Sequence, residues 1–462
     1  MNEITETRLF RDSDFYLVPL CLLMMFIFMY IKRRKYNGLQ MQRYFIPALV
    51  WRLVFVFFYA VIVQYYYGAG DTLMYYRGVT DMYHAVSDDW SHLADIFLVE
   101  KMEPSNPIYT YFMYDGHSVT HYYMENAGTF AVCKFALPFS LLFGNSYVCI
   151  SFCLSLFSFA GCWRIYKMFC EMFPRLQWKF ALSILFLPSI LFWGGSLLKD
   201  SICMGSLGFA LYAAYQIFFT KRKVFVSLII LLACCTLLLY IKPYILLCLL
   251  PAFILWMFLG FRKRIADSGV RRLATLFLFA GALVGGVLLL GKLTQTELAS
   301  QYSTERIVET AQGLQDEYSK LEESTGSGYS VGPIGDSFAS LILLFPLGVI
   351  TTFFRPFLFE VRNPLMLISA LEAFAFLCLI YMAFRKIGFR RFFKTVFSSP
   401  VLVFCFVFAF VFAGIVGVTT ANFGSLARYK IPCLPFFLMM VFIVMDQSGK
   451  FSPSVVFGRR LF

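Results

Sequence analysis

Long apolar stretches without any charged residue are the feature of this sequence that most restricts its fold. Two of them run from Val224 to Tyr240 and from Val401 to Val418. A helix of about 20 apolar residues crosses the hydrocarbon core of a bilayer, where backbone groups must hydrogen-bond within the helix itself. The stretches are too continuous for strands of a membrane β-barrel, which alternate between lipid-facing and lumen-facing residues. The sequence therefore predicts an all-α, polytopic membrane protein.

The composition agrees with this interpretation. Hydrophobic residues make up 60% of the 462 residues and charged residues only 15%, whereas soluble proteins carry about 25% charged residues. Most of the 13 cysteines lie inside apolar stretches, so we expect reduced thiols and neither disulfides nor a zinc site. The net charge of +13 is concentrated at the ends of apolar stretches, which predicts a lipid bilayer and no nucleic acid as partner.

Basic clusters at the ends of apolar stretches predict the orientation, because loops rich in Lys and Arg remain in the cytoplasm. The first stretch ends at Lys32–Lys35 and a later one at Lys221–Lys223. With both clusters inside, the N-terminus is external, the C-terminus is cytoplasmic, and the protein is a multi-pass component of the inner (plasma) membrane. About eleven spans result, near residues 15–31, 44–66, a span ending at Arg164, 179–195, 201–219, 224–240, 244–259, 273–290, 365–384, 401–418 and 432–445.

We predict one membrane domain over residues 1–462, with a first external loop over residues 67–127 and a second over residues 292–362. Each loop is expected to carry interfacial helices. Beside the first loop, the apolar stretch from Gly128 to Phe143 contains Lys134 and Pro138, and this pattern is typical of an interfacial helix.

The stretch from Phe338 to Phe354 in the second loop is predicted to be interfacial or re-entrant on the external side. The next helix, Leu365–Phe384, runs into Arg385 and Lys386, so its end is placed in the cytoplasm. That helix must then begin outside, which leaves no room for a full crossing by residues 338–354.

Basic residues on the external side do not determine topology, so their positions need another explanation. Each lies near a helix end at about the depth of the lipid headgroups. A single such residue would snorkel to the interface, whereas five at one depth favour an anionic ligand, best fitted by the phosphate or diphosphate of a membrane lipid. The five residues are Lys199, Lys242, Arg355, Arg428 and Lys430, with Asp200 beside the first as a further candidate.

Asp71 is the candidate catalytic carboxylate. It follows an outward span in the run Gly68-Ala69-Gly70-Asp71-Thr72, with Tyr75 close behind, and this position suits a general base at the membrane surface. The alternative is a loop residue that caps a short helix. Other external acids and histidines offer ligands for a sugar or a divalent cation, or are simply solvated; no metal site is assigned. They are Asp81, Asp88, Asp89, Asp115, His117, His121 and Glu125.

The outward helix followed by a Gly-Asp-x-x-x-Tyr motif, here Gly70, Asp71 and Tyr75, resembles the GT-C superfamily of membrane glycosyltransferases. The likeness covers mainly residues 44–219, and it departs from that pattern in an extra N-terminal span and in the absence of a second acidic motif. It implies an enzyme that uses a polyprenyl-phosphate-linked sugar in cell-envelope glycan assembly. It also implies that Asp71 is the catalytic base and that the external basic residues bind phosphate.

Three alternatives remain open. A lipid-linked repeat-unit polymerase of the O-antigen or capsule type also has external arginines and a prominent second loop. A flippase or transporter of lipid-linked sugars would place charged residues at the membrane midplane, where Glu372 is the best candidate and Arg52 is expected nearer a helix end. The third alternative is a structural subunit of an assembly.

Overall fold

A computed structural model describes residues 8–113, 118–262, 308–316, 328–336 and 338–450. These residues are helical almost throughout, with no β-strand among them and a single isolated bridge between Gly328 and Asn422. Within the described ranges, eight helices are long and apolar enough to cross a membrane, or nine if one bent pair counts as a span. The prediction of an all-α polytopic membrane protein is confirmed. The predicted span at residues 273–290 lies outside the described residues.

The chain divides into two compact units. The first unit contains residues 1–172 and 185–242. Its helices are α1 (Asp14–Arg33), α2 (Phe45–Ile62), α3 (Asp71–Asp88), α4 (His92–Phe97), α5 (Ser118–Met124), α6 (Ala127–Leu142), α7 (Tyr147–Met172), α9 (Pro188–Trp193), α10 (Lys199–Tyr215) and α11 (Val224–Ile241).

The second unit contains residues 173–184 and 243–462. Its described helices are α8 (Gln177–Ile184), α12 (Pro243–Arg262), α13 (Phe338–Phe354), α14 (Pro364–Ile387), α15 (Phe389–Ser398), α16 (Pro400–Thr419), α17 (Phe423–Tyr429) and α18 (Leu434–Gln447).

Among the described residues, each unit contains a helix crossing at which glycines on both helices bring the two backbones into contact. In the first unit, a Cβ atom added at Gly208 of α10 would lie 2.1 Å from the carbonyl oxygen of Gly161 in α7. In the second unit, a Cβ atom added at Gly417 of α16 would lie 2.0 Å from the carbonyl oxygen of Gly348 in α13. Helices in lipid gain most of their association energy from such close packing, so both crossings are central to the fold.

The apolar stretch predicted as one span over residues 179–195 is divided between two short helices. α8 ends at Ile184, and α9 begins with Pro188 at its first turn and ends at Trp193. Proline lacks the N–H that would continue a preceding helix, whereas it is well tolerated in the first turn of a new one. The break therefore follows from Pro188, and α8 and α9 are each too short to cross a bilayer alone. The count of about eleven spans stays a prediction.

α13 is one continuous helix that runs antiparallel to α16. Near its start, Leu341 packs against a cluster containing Val418, close to the end of α16. Near its end, the ring of Phe353 lies 5.6 Å from that of Phe410, midway along α16. The interfacial or re-entrant placement of this helix on the external side stays a prediction, as does the interfacial placement of α6.

Candidate functional site

The end of α2 leads directly to Asp71. After a last wide turn over Val63–Tyr67, Gly68 has φ +62° and Gly70 has φ +129°, and both angles strongly favour glycine. Asp71 is the first residue of α3 and is partly buried. The positive end of a helix dipole favours an ionised carboxylate at this position, so the two glycines present Asp71 as an anion at the end of a membrane span.

Hydrogen bonds hold the first turns of α3 in place. The buried Thr72 hydroxyl lies 2.9 Å from the Tyr147 hydroxyl of α7 and donates to the carbonyl oxygen of Leu197, also at 2.9 Å. One turn later, the Tyr76 hydroxyl donates to the carbonyl oxygen of Asn145 at 2.9 Å. The neighbour of Asp71 is therefore fixed to the segment that leads into Lys199.

Lys199 begins α10 and lies close to the same part of α3. Its ammonium group acts electrostatically on the Cys133 thiol of α6, and that thiol donates to the carbonyl oxygen of the buried Tyr75 at 3.5 Å. Lys199 is partly buried. Asp81 acts on the same thiol, so Cys133 lies near an acidic side chain of α3, the start of α10 and the backbone of Tyr75.

Asp200 and Lys242 form an ion pair beside this region. The Lys242 Nζ atom lies 2.6 Å from Asp200 Oδ1, and both side chains are almost fully buried. Lys242 follows α11 and Asp200 lies in the first turn of α10, so the pair fixes the end of one helix to the start of the other. A phosphate that bound Lys242 would therefore compete with a carboxylate already in place.

Arg52 is a residue whose position the sequence did not predict. It lies eight residues into α2, further from a helix end than expected, and is only 1% exposed. Its guanidinium donates to the hydroxyl of Ser158 and, at 2.6 Å, to the carbonyl oxygen of Gly194. Among the residues that the structure describes, its partners are all neutral groups. The guanidinium remains charged in proteins, so a full positive charge is held here by dipoles alone.

A row of polar side chains on α7 connects Arg52 with Thr72. The spacing of four, four, three and four residues places them on one helix face. Within the described ranges, the buried hydroxyls of Ser155 and, across from it, Ser196 lack a hydrogen-bond partner. The members of this row are Tyr147, Ser151, Ser155, Ser158 and Cys162. In the sequence, the regular spacing of these residues was the one feature from which this row could have been recognised.

Arg355 of the second unit has a carboxylate partner and two aromatic neighbours. It pairs with Glu360, and its Cζ atom lies 5.1 Å from the ring centre of Tyr329 and 5.2 Å from that of Phe423. Partial burial raises the pKa of Glu360, but hydrogen bonds from Arg355 and from the Phe357 N–H outweigh it, so the net pKa is lowered. Arg355 is held in this structure as half of an ion pair.

Lys430 is fully buried in the break between α17 and α18. Its Nζ atom lies 3.5 Å from the carbonyl oxygen of Arg355, and the carboxylate of Glu372 acts on it electrostatically. Glu372 lies within the spanning helix α14 and is 6% exposed. Arg428 is partly buried, with its Cζ atom 5.8 Å from the ring centre of Tyr429. The second unit therefore contains a buried cation on which a buried anion acts electrostatically.

The five predicted phosphate ligands are divided between the units. Lys199 and Lys242 belong to the unit that contains Asp71, whereas Arg355, Arg428 and Lys430 belong to the other. Lys242 and Arg355 each form an ion pair with a carboxylate, and the carboxylate of Glu372 acts electrostatically on Lys430. A single cavity lined by several of them together with Asp71 stays a prediction.

A divalent cation also stays a prediction. Within the described ranges, no group of three or more His, Cys, Asp or Glu side chains has a geometry that could hold a metal ion. Asp115 and His117, two of the residues named from the sequence, lie outside those ranges. His92 and Asp95, which approach each other at 2.9 Å, form a simple pair in the first loop.

Comparisons with protein-family models, curated proteins and solved structures gave no match.

Proposed function

We propose that this protein is a membrane glycosyltransferase of the GT-C type. It moves a sugar from a polyprenyl-phosphate donor to an acceptor at the external face of the inner membrane, during assembly of a cell-envelope glycan. The observation that carries the proposal is the position of Asp71. It is presented at the end of a membrane span, and the Thr72–Leu197 hydrogen bond ties it to the segment that leads into Lys199.

The reaction needs a base on one side of the anomeric carbon and a phosphate contact on the other. Asp71 takes the proton of the acceptor hydroxyl as its oxygen attacks the anomeric carbon. The bond between that carbon and the phosphate oxygen breaks, and polyprenyl phosphate leaves with the electron pair. Lys199 stabilises the charge that develops on the leaving phosphate.

The other basic residues take different roles in this proposal. Lys242 forms an ion pair with Asp200 and positions the start of α10. Lys199 is proposed as the phosphate contact because it begins α10 and follows the segment that Thr72 binds. In the second unit, Arg428 is proposed as a further contact for lipid phosphate, because a guanidinium binds phosphate oxygens through two parallel hydrogen bonds.

The proposal is tested with the purified full chain and radiolabelled polyprenyl-phosphate sugars. Transfer of label to a lipid or glycan acceptor supports it, and failure of every donor class in an otherwise folded preparation opposes it. Lys199→Gln and Arg428→Ala are expected to raise KM more than they lower kcat, because each removes a phosphate contact and leaves the proton acceptor in place. Lys221→Gln, in an exposed basic loop, is the matched control.

A second candidate is a transporter of lipid-linked sugars. It is favoured by helix breaks before α10 and before α18, together with the buried Glu372 and Lys430, because transporters bind substrates at broken helices near the midplane. Proteoliposomes distinguish the two functions. A transporter moves an unaltered labelled lipid across the bilayer and loses that movement in Glu372→Gln, whereas a transferase converts the lipid and tolerates Glu372→Gln better.

A further inference from the structure

α15 is a short helix between the ends of two membrane spans. α14 ends at Ile387, Gly388 turns the chain with φ +88°, and Pro400 begins α16 after Ser399. The ten residues of α15 extend about 15 Å, half the thickness of the hydrocarbon core. Because α15 is too short to cross the bilayer and joins two candidate spans, we expect it to lie at the membrane surface.

One face of α15 anchors it to the protein. Phe392 and Val396 are buried, and the ring of Phe392 lies 5.1 Å from the ring of Phe384 in α14. On the rest of the helix, Phe389 is 65% exposed and Phe397 is 59% exposed. Two exposed aromatic rings on a firmly anchored surface helix are placed to enter the acyl-chain boundary.

Cations accompany these rings. Arg390, Arg391 and Lys394 of α15 are exposed, as is Arg385 in the last turn of α14. The Lys450 ammonium joins them by donating to the carbonyl oxygen of Lys386 at 2.8 Å. The sequence contains no Asp or Glu between Glu372 and Asp446, so positive charge dominates this surface.

We propose that α15 and the end of α14 bind the headgroup of an anionic phospholipid in the leaflet they face. The cations contact the phosphate, and Phe389 and Phe397 insert beside the acyl chains. The sequence predicts that this surface lies on the cytoplasmic side, where anionic lipids attract basic residues. A topology signal needs only basic residues in a loop, whereas here they are mounted on an anchored amphipathic helix.

The test measures lipid binding by native mass spectrometry of the detergent-purified full chain. Phosphatidylglycerol and phosphatidylcholine with identical acyl chains are titrated into wild type and into the triple variant Arg390→Gln, Arg391→Gln, Lys394→Gln. The triple variant Lys221→Gln, Arg222→Gln, Lys223→Gln is the control, because it removes the same charge from an exposed basic loop.

Wild type is expected to prefer phosphatidylglycerol. The α15 variant should bind it about tenfold or more weakly, with phosphatidylcholine unchanged, and the control should remain within about twofold of wild type. Unchanged phosphatidylglycerol binding in the α15 variant, or an equal loss in the control, overturns the proposal. So does a lipid-independent preference of this surface for acidic peptides.

A charge-conserving variant distinguishes loss of lipid binding through a folding defect from loss through the missing charge. Arg390→Lys with Arg391→Lys keeps the cations and should keep most of the preference, and it should lose affinity as salt is raised. Loss of the preference in a monodisperse lysine variant at low salt would contradict a headgroup site that depends on charge. Neither result depends on whether the protein transfers sugars.

Discussion

The two units of this protein bury positive charge in different ways. In the second unit, the carboxylate of Glu372 acts electrostatically on the buried Lys430, and Arg355 pairs with Glu360. In the first unit, Arg52 is held by a hydroxyl, a thiol and a backbone carbonyl, with no carboxylate among its partners in the described chain. At the end of this unit, Lys242 and Asp200 form a buried ion pair.

The difference is between cations that have a carboxylate nearby and a cation, Arg52, whose partners among the described residues are neutral groups. A charge moved out of water is costly unless a partner or several hydrogen bonds replace its hydration. Ion pairs neutralise each other, so they contribute to the architecture and attract little else. The first unit combines a buried guanidinium, whose partners among the described residues are neutral groups, with Asp71 at a helix start. We propose the chemistry there because of the position of Asp71.

Removing one member of the buried pair in the first unit should have the largest effect on stability. Lys242→Met leaves the Asp200 carboxylate buried without its cation and is expected to cost about 3–5 kcal/mol. The double variant Lys242→Met, Asp200→Leu should recover most of that loss, because no buried charge remains. Thermal unfolding in detergent measures both. An equally unstable double variant would show that the pair does not act as a unit.

Substitution of a glycine at the helix crossings should reduce stability by a similar amount in the two units, whereas removal of a buried charge should not. Gly208→Ala and Gly417→Ala each place a methyl group against a backbone carbonyl, and each is expected to cost about 1–3 kcal/mol. Gly313→Ala, in a helical stretch with open space around it, is the matched control and should be neutral or slightly stabilising. A large effect in one unit alone would mean that the two crossings are not equivalent.

Arg52 tests the contrast directly. Arg52→Met removes the hydrogen bonds to Ser158 and Gly194 but also removes the burial of an unpaired charge. We therefore expect a cost of about 1–3 kcal/mol, below that of Lys242→Met. The unfolding midpoint of the full chain is the measurement. A loss as large as for Lys242→Met would mean that Arg52 is compensated by a group outside the described residues.

The Arg355–Glu360 pair should give the smallest effect, since both side chains are partly exposed. The pKa of Glu360 is lowered, so its contribution to stability is present above the ordinary glutamate range near pH 4.5 and is lost as pH falls through the lowered value. Glu360→Gln is expected to cost about 1 kcal/mol or less at pH 7. The difference from wild type should vanish in acid, and a difference that persists there would contradict the assignment.

The helical membrane architecture could be predicted from the sequence because apolar length and basic ends are local features. The split of residues 179–195 was missed because composition alone reads this stretch as one span, although Pro188 is a visible signal of the break. Asp71 could be singled out from its glycines. The partners of Lys242 and Arg52 could not be predicted. Asp200 is distant from Lys242 in the sequence, as is Gly194 from Arg52, and the packing of the helices brings each pair together.

The central claim is that Asp71 acts as the proton acceptor in sugar transfer. The kcat of the Asp71→Asn variant, measured at a saturating donor concentration, tests this claim most directly. Asp71→Asn keeps the shape of the side chain but cannot take a proton, whereas Asp88→Asn changes an exposed acid at the other end of α3. We expect kcat to fall about 10²–10⁴-fold in Asp71→Asn, with little change in KM, and to stay near wild type in Asp88→Asn. Wild-type turnover by a folded Asp71→Asn variant would contradict the account.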